Sequence, residues 1–295
     1  MAVAAERISL RATGRSRRRL RLNRVMESVA VLAASVALAA LGIVVVSVVV
    51  RAWPALHVSL FTQTPNLFGG PGGGISSAIV GSALIVAMAT GMALPVGVLA
   101  AIFMTEFARP RVAAAIQLFL DVLNGVPTIV TGIFVYGLLV IGHLQSAYAG
   151  AFALAVVMLP LVARATQEVL LLVPNTLREA SLALGVSRWR TVVGVIIPTT
   201  LGGILTGTVI AMARAAGETA PLLFTCSIFA PAVSTDVTHA LPNIPVLIFT
   251  YSEQPDPALH QQAWAAALVL MAFILITSLT ARGLLARSRR KLTHG

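Results

Sequence analysis

The chain has 295 residues, of which 58% are hydrophobic and only 11% are charged. A soluble domain carries roughly 25% charged residues, so this composition excludes an ordinary soluble protein and indicates one that lies in a bilayer. The formal net charge of +11 is concentrated near the two ends of the chain, which favours attraction to a membrane surface over nucleic-acid binding.

The first predicted elements are a basic arm over residues 1–24 and a hydrophobic run after it. Ser28–Val50 contains no charged residue and exceeds the about 20 residues that a spanning helix needs. Ala37–Ala39 resembles a signal-peptidase site, but a signal core runs only about 7 to 15 residues. The pattern therefore predicts an uncleaved first span, with residues 25–74 forming this span and an external loop.

The external loop contains the sequence GGPGGG, at Gly69–Gly74. A phosphate-binding P-loop requires a following Lys-Ser or Lys-Thr, whereas the only lysine of this chain is Lys291. We therefore predict a flexible loop here. The single cysteine, Cys226, excludes an internal disulfide, and the five scattered histidines do not form a metal-binding pattern. We expect no cofactor bound by this chain.

The second predicted span, Ala78–Met104, leads into the basic sequence TEFARPR, and a third span follows as far as Ile141. The third span is irregular, because Asp121, Gly125 and Pro127 interrupt it. A break inside a membrane is tolerated where protein or a water-filled cavity satisfies the backbone, which favours a helix that lines a pathway. The alternative is an interfacial kink with Asp121 at the cytoplasmic boundary, and both interpretations stay open.

Three further spans are predicted in the rest of the chain. The fourth contains AFALAVVMLPLVARA, the fifth begins near Val192 or Pro198, and the sixth is Trp264–Thr280. The segment 174–198 carries several arginines and is predicted to be cytoplasmic by the positive-inside rule. The long segment that follows Ala215 has no Lys or Arg and is predicted to be an external loop.

These elements predict an all-α membrane protein with six transmembrane helices. Residues 75–282 would form its transmembrane core, and residues 283–295 a basic cytoplasmic tail. Because both ends of the chain are rich in arginine, we expect a multi-pass protein of the plasma membrane with both termini in the cytoplasm.

The segment 174–198 has the features of a short helical hairpin. Thr176 followed by Glu179 predicts a capping box, Gly185 is placed to end the helix in a left-handed conformation, and Ser187 is placed to cap the next helix. The residues at helical spacing suit a groove on a partner protein, although an amphipathic helix lying on the lipid surface would have the same pattern. They are Leu177, Ala180, Ser181 and Leu184.

Two charged residues lie within the apolar sequence ARAAGETAPLLFT. Arg214 and Glu218 are four residues apart, which predicts a position on one helix face. Charged side chains are costly in lipid, so they indicate either a functional site or a mutually neutralising pair that locks helices together. Just upstream, Gly203 and Gly207 predict close helix approach, within this chain or against a second membrane subunit.

The hairpin resembles the EAA loop of importer-type ABC permeases. Glu179, Ala180 and Ser181 are followed at the family's spacing by Gly185, and then by Val195 and Ile197-Pro198. Ser181, Val195 and Ile197 replace the family's alanine, isoleucine and leucine. The resemblance implies the fold of these permeases, with residues 176–198 coupling the chain to a cytoplasmic ATPase through Glu179, Ala180, Ser181, Gly185 and Pro198.

Two further stretches, Ala213–Pro221 and Asp121–Gly137, are similar to the A-type permease subunits of phosphate-specific ABC importers. This resemblance implies a pathway or gate at Arg214, Glu218 and Thr219, with a candidate pathway break at Asp121 and Pro127. It also implies a C-type permease, an ATPase dimer that uses ATP, and an external phosphate-binding protein as partners. The chain itself would not be an enzyme.

Three alternatives differ from this interpretation. The same architecture could carry sulfate or molybdate, an intramembrane enzyme could use Asp121 and Glu218 as paired carboxylates, and a membrane receptor or scaffold would not depend on Arg214 for uptake. For phosphate, an arginine offers a forked donor to an oxyanion. Glu218 would accept a hydrogen bond from a protonated oxyanion and repel an unprotonated one, which is our hypothesis for selection against sulfate.

Overall fold

The computed structural model describes residues 15–66, 72–228 and 232–293. Within these residues every regular element is helical, and the predicted all-α class is confirmed. The α-helices are α1 (Arg15–Ala52), α2 (Val58–Thr62), α3 (Ser76–Ile102), α4 (Pro110–Gly125), α5 (Thr128–Val135), α6 (Ala147–Leu171), α7 (Asn175–Ala183), α8 (Arg188–Thr191), α9 (Ile197–Ala215), α10 (Ala220–Thr225), α11 (Ile244–Ser252) and α12 (Pro257–Thr293).

The chain divides into two compact units, Met1–Val50 and Arg51–Gly295. In the first unit, α1 exposes its apolar side chains along almost its whole length. An apolar helix without a covering in its own unit is typical of a span in contact with lipid. The first 14 residues of the predicted basic arm and the last two residues of the tail lie outside the described residues.

Five of the described helices are long and apolar enough to cross a membrane. A sixth crossing results if the pair Pro110–Gly125 and Thr128–Val140, which bends by 96°, is counted as one span. The chain is extended at Val126 and Pro127, between α4 and α5. The bend follows from proline chemistry, since Pro127 has no N–H to donate and disfavours helical geometry in the residue before it.

Asp121 lies within α4 and does not interrupt it, so the predicted interruption at this residue is wrong. Its carboxylate accepts a hydrogen bond from Gln117 and pairs with Arg164 of α6 at 3.2 Å. Both side chains of this ion pair are about half exposed. An aspartate is tolerated in the helix because these neighbours satisfy its charge.

In the second unit, α6 is the central helix, with α3 and α9 packed against it at glycines. A Cβ built on Gly97 of α3 would lie 2.9 Å from Val162 of α6. On α9, a Cβ built on Gly203 would lie 2.5 Å from the side chain of Val169, and one built on Gly207 would lie 2.6 Å from that of Ala165. The small-residue face predicted at Gly203 and Gly207 therefore packs within this chain.

The sequence predicted that the long segment after α9 is a loop. The structure instead places two short helices in it. Its two short helices, α10 and α11, pack against the spans, with Pro221 against Gly132 of α5 and Cys226 against Gly150 of α6. The N–H of Ile244 donates to the hydroxyl of Ser82 on α3 at 2.8 Å. Helices of this length carry no clear periodicity, and their apolar residues are buried by tertiary packing.

The end of the glycine run is packed, although we predicted a flexible loop. The N–H of Gly74 donates to the carbonyl of Thr64, and a Cβ on Gly74 would lie 2.5 Å from the carbonyl oxygens of Ser59 and Gln63. Gly72 and Gly73 have positive φ, which glycine adopts without strain. Residues 67–71, including Gly69 and Gly70, lie outside the described residues.

Candidate functional site

The first candidate site is the coupling segment, which we define as residues 174–198. Its first helix, α7, has Pro174 at the N-cap and no side-chain capping bond, so the predicted capping box is wrong. The helix begins at Asn175, which places Thr176 inside the first turn rather than at the cap. Pro174 itself has an extended backbone conformation, with φ −59° and ψ 140°, so the helix begins only at the next residue. Because proline has no N–H and a fixed φ, it also prevents the helix from extending backward.

The two helices of the coupling segment form a closed hairpin. The turn after α7 has Gly185 at φ 77°, as predicted for a left-handed glycine. The hydroxyls of Ser181 on α7 and Thr191 on α8 share a buried hydrogen bond of 2.8 Å. Ser187 is at the N-cap of α8 but makes no side-chain cap bond, and its carbonyl instead accepts from Thr191. The predicted Ser187 cap is therefore wrong.

The outer surface of α7 is open to contact. Glu179 and Ala180 are exposed, and so are Leu177 and Leu184. Ser181 is buried, so it belongs to the inside of the hairpin and not to the predicted apolar stripe. After α8 the chain passes through a π-helical turn into α9, where Pro198 is exposed in the first turn. Residues 188–215 thus connect the hairpin directly to a span.

An ion pair that sequence reasoning missed lies beneath the coupling segment. Arg178 of α7 pairs with Glu106, in the π-helical turn that follows α3, at 2.8 Å. Their side chains are only 19% and 10% exposed, the most buried of the ion pairs among the described residues. The two residues are 72 positions apart, so no helical spacing connects them. The only sequence signal is a carboxylate that directly follows a long apolar span.

The next residue along from Glu106 makes a second contact with the coupling segment. The ring of Phe107 lies 6.3 Å from that of Trp189 on α8, at a tilt of 42°. A cavity of about 390 Å³ lies beside the ion pair and extends to Arg188 and Ile196. The end of α3 therefore contacts both helices of the hairpin, with open space next to the charged contact.

The second candidate site follows the end of α9. Arg214 lies in the last turn of α9, but the helix ends at Ala215 and Glu218 lies outside it. The prediction that Arg214 and Glu218 share one helix face is therefore wrong. The chain turns at Ala216 and Gly217 and then enters α10 with Thr219 at its N-cap. Within the part of the chain that the structure describes, Arg214 and Glu218 are in no ion pair, so they do not form the locking pair.

Arg214 lies at mid-depth in the bundle. Gly207 of α9 contacts Ala165 of α6, and α9 runs antiparallel to α6 along this contact. At a rise of about 1.5 Å per residue, Arg214 lies roughly 10 Å beyond Gly207, level with the middle of α6. Its side chain is nevertheless exposed, and those of Glu218 and Thr219 are partly exposed. The guanidinium therefore needs water or another protein chain beside it.

A family of membrane transport proteins matches most of this chain. The family described as "Binding-protein-dependent transport system inner membrane component" matches residues 93–291. A "Phosphate transport system permease protein PstA" from Yersinia pestis is 38% identical over 82% of this chain and 83% of its own. Relatives of the same name from Haemophilus influenzae and Pasteurella multocida are 40% and 37% identical over 80% and 88% of this chain, and over 84% and 93% of theirs.

Solved structures support the same fold. A structure of the MetNI methionine ABC transporter in inward-facing conformations has a TM-score of 0.56 and 16% identity, and the match covers 72% of this chain and 93% of that one. An amino acid ABC transporter gives a TM-score of 0.50 and 20% identity, over 74% and 92% of the two chains. The predicted importer-type permease fold is confirmed. The three relatives from Yersinia, Haemophilus and Pasteurella are named as transport permeases, in agreement with the prediction that this chain is a transporter subunit and not an enzyme.

Proposed function

Since the chain belongs to the family of binding-protein-dependent transport inner membrane components, among its PstA-like phosphate permeases, we propose that it is the permease subunit of an ATP-driven phosphate importer. It is a multi-pass membrane protein. In the complex it provides half of the translocation pathway, and the coupling segment transmits the work of a cytoplasmic ATPase to the spans.

The observation that carries this proposal is the coupling segment. A rigid hairpin, closed by the Ser181–Thr191 bond and the left-handed Gly185, presents Glu179 and Ala180 on an exposed surface. An exposed amphipathic helix on a fixed base suits a groove on a partner protein. Because α8 leads directly into α9, a displacement of the hairpin reaches a span without an intervening loop.

The proposed complex contains partners of three kinds. A C-type permease provides the other half of the pathway, an ATPase dimer binds the coupling segments, and an external binding protein delivers phosphate. ATP is bound and hydrolysed by the ATPase, and this chain needs no cofactor of its own. The exposed guanidinium of Arg214 at mid-depth supports a second subunit or a water-filled path on that side of α9, since lipid alone would not satisfy the charge.

In the proposed pathway, Arg214 contacts the phosphate, with Glu218 and Thr219 beside it. Arg214 supplies a planar, permanently charged fork that matches an oxyanion. Glu218 and Thr219 lie in the turn between α9 and α10, where the backbone leaves the helix and can shift. The break at Pro127 leads into α5, which packs against α10 through Gly132. Movement of α5 would therefore reach this turn, and the part played by Asp121 is to hold α4 to α6.

The test is uptake of radiolabelled phosphate at limiting phosphate, in the native host with this gene deleted and other phosphate importers removed. We expect uptake to return with the wild-type gene and to resist excess sulfate or molybdate. Arg214→Ala is expected to restore about a hundredfold less uptake, as befits loss of a charge-assisted contact to the substrate. Arg51→Ala is the control, because Arg51 is an exposed arginine that lies over the Trp264 ring of α12 and not on α9, and its loss should leave uptake near the wild-type level.

Inhibition of wild-type uptake by sulfate or molybdate would assign the same architecture to another oxyanion. Uptake that never depends on the gene would remove the phosphate assignment. Full uptake with Arg214→Ala would remove Arg214 from the pathway and leave the rest of the proposal in place.

A further inference from the structure

Two adjacent residues fasten the end of α3 to both helices of the coupling segment. Glu106 pairs with Arg178 of α7, and Phe107 packs on Trp189 of α8. Since the Ser181–Thr191 hydrogen bond joins α7 to α8, both contacts attach the end of α3 to one hydrogen-bonded hairpin. A force applied to the exposed surface of α7 therefore has a direct route to the end of the second span.

Arg178 is the centre of this attachment. Its guanidinium donates to both carboxylate oxygens of Glu106, at 2.8 to 3.3 Å. It also donates to the carbonyl of Leu170, at the end of α6, and to the carbonyl of Val173 beyond it, at 3.0 and 2.6 Å. One side chain therefore joins α3, α6 and α7. Forked, charge-assisted bonds of this kind fix direction as well as distance.

Apolar packing alone would not provide the same link. A cluster of buried side chains lies beneath the hairpin, at the ends of α3 and α6 and in the π-helical turn before α9, but apolar contacts have no preferred direction. The cavity of about 390 Å³ beside the ion pair also leaves part of this region without packing. The cluster consists of Ala101, Ile102, Leu170, Val173, Val192 and Ile196.

We propose that the Glu106–Arg178 ion pair is the link through which movement of the coupling segment reaches the second and fourth spans. The inference rests on the proposed function, because it concerns how the ATPase's work enters this subunit. Glu106 and Arg178 are positioning residues, since neither contacts the transported substrate. Breaking the pair leaves the exposed surface of α7 intact, so the ATPase still binds and hydrolyses ATP, but movement of the hairpin no longer reaches the second and fourth spans.

The test uses the complete importer reconstituted in vesicles, with phosphate import and ATP hydrolysis measured in the same sample. Glu106→Gln removes the charge, and Arg178→Lys keeps the charge but loses the fork. We expect the ATPase to co-purify in wild-type amounts and the phosphate imported per ATP to fall by at least about tenfold in each variant, as befits removal of one partner from a buried, hydrogen-bonded charge pair. The double variant should be no worse than the poorer single variant, because both remove one link.

The matched control is Glu168→Gln, the same chemical change on a side chain of α6 that is 74% exposed. It should keep the wild-type ratio of phosphate to ATP. An unchanged ratio in both Glu106→Gln and Arg178→Lys would overturn the inference, as would losses that multiply in the double variant or a failure of both single variants to hold the ATPase. Absence of import by the wild-type complex would instead contradict the proposed function, and it is measured first.

Discussion

Glu218 has the properties expected of a residue that selects between oxyanions. It follows α9, is partly exposed, and is in no ion pair with the other described residues. A carboxylate can accept a hydrogen bond from protonated phosphate but repels sulfate, which carries no proton. We expect Glu218→Gln to lower the ratio of phosphate to sulfate uptake by about tenfold, the value of one hydrogen bond to a charged group. Parallel uptake of the two radiolabelled ions measures this ratio.

The control for this change is Glu253→Gln, which alters an exposed carboxylate just after α11 and should leave the ratio unchanged. An unchanged ratio in Glu218→Gln itself would remove the selectivity hypothesis. Glu218 could be singled out from the sequence, because a charged residue within an apolar run is rare. Its position outside the helix was not predicted, since the four-residue spacing from Arg214 indicated a continuous helix, whereas α9 ends at Ala215.

At the scale of elements, the contact between α5 and α10 is a close backbone approach. A Cβ on Gly132 would lie 2.8 Å from the Cα of Pro221, and backbone cannot move aside as a flexible side chain can. We expect Gly132→Ala to displace α10, at a cost of about 1–3 kcal/mol for overpacking. Displacement should expose Cys226, which follows α10 directly and is the only cysteine of the chain.

Maleimide labelling of Cys226 measures this displacement. In the wild type the thiol is buried and hydrogen-bonded to Leu241, and burial raises its pKa to about 11. At pH 8 it therefore stays protonated and unreactive, whereas Gly132→Ala should label roughly tenfold faster as local opening becomes more frequent. Gly137→Ala is the control, because a Cβ there meets no atom within 4 Å. Equal labelling of both variants would contradict the predicted contact.

The elements that the sequence could predict are those that a bilayer itself dictates. Long apolar runs identify the spans, because length and hydropathy suffice for that purpose. The elements missed depend on tertiary contacts. Helices α10 and α11 are short and buried by packing against α3, α5 and α6, and the Glu106–Arg178 pair joins residues far apart in the chain. The bend at Pro127 was signalled locally, but its angle of 96° was not.

As a whole molecule, the second unit is organised around one well-covered helix. In α6, 61% of the most apolar stretch is buried. The corresponding share is only 22% in the α8–α9 span and 17% in α12. Lipid covers an apolar face at no cost, so burial alone does not require a partner for α12. The exposed Arg214 makes α9 different, because its charge at mid-depth is not satisfied by lipid. This asymmetry supports a partner chain or a water-filled path on the α9 side of the subunit.

The bent pair of α4 and α5 decides the orientation of the two ends. If the pair crosses the membrane once, there are six crossings and both ends lie on one side, whereas five crossings would place them on opposite sides. Both ends are rich in arginine, and the positive-inside rule places each of them in the cytoplasm. We therefore expect six crossings, with α4 and α5 together passing through the membrane despite their 96° bend.

Reporter fusions test this topology. A green fluorescent protein fused after Gly295 should fluoresce, and alkaline phosphatase fused there should be inactive, because the first matures in the cytoplasm and the second only outside. Alkaline phosphatase inserted after Gly142, in the turn between α5 and α6, should be active, and the same insertion after Ala108, between α3 and α4, should be inactive and serves as the control. Activity of the fusion after Gly295 would mean that α4 and α5 do not cross as one span. The arginines of the tail would then lie outside, against the positive-inside rule.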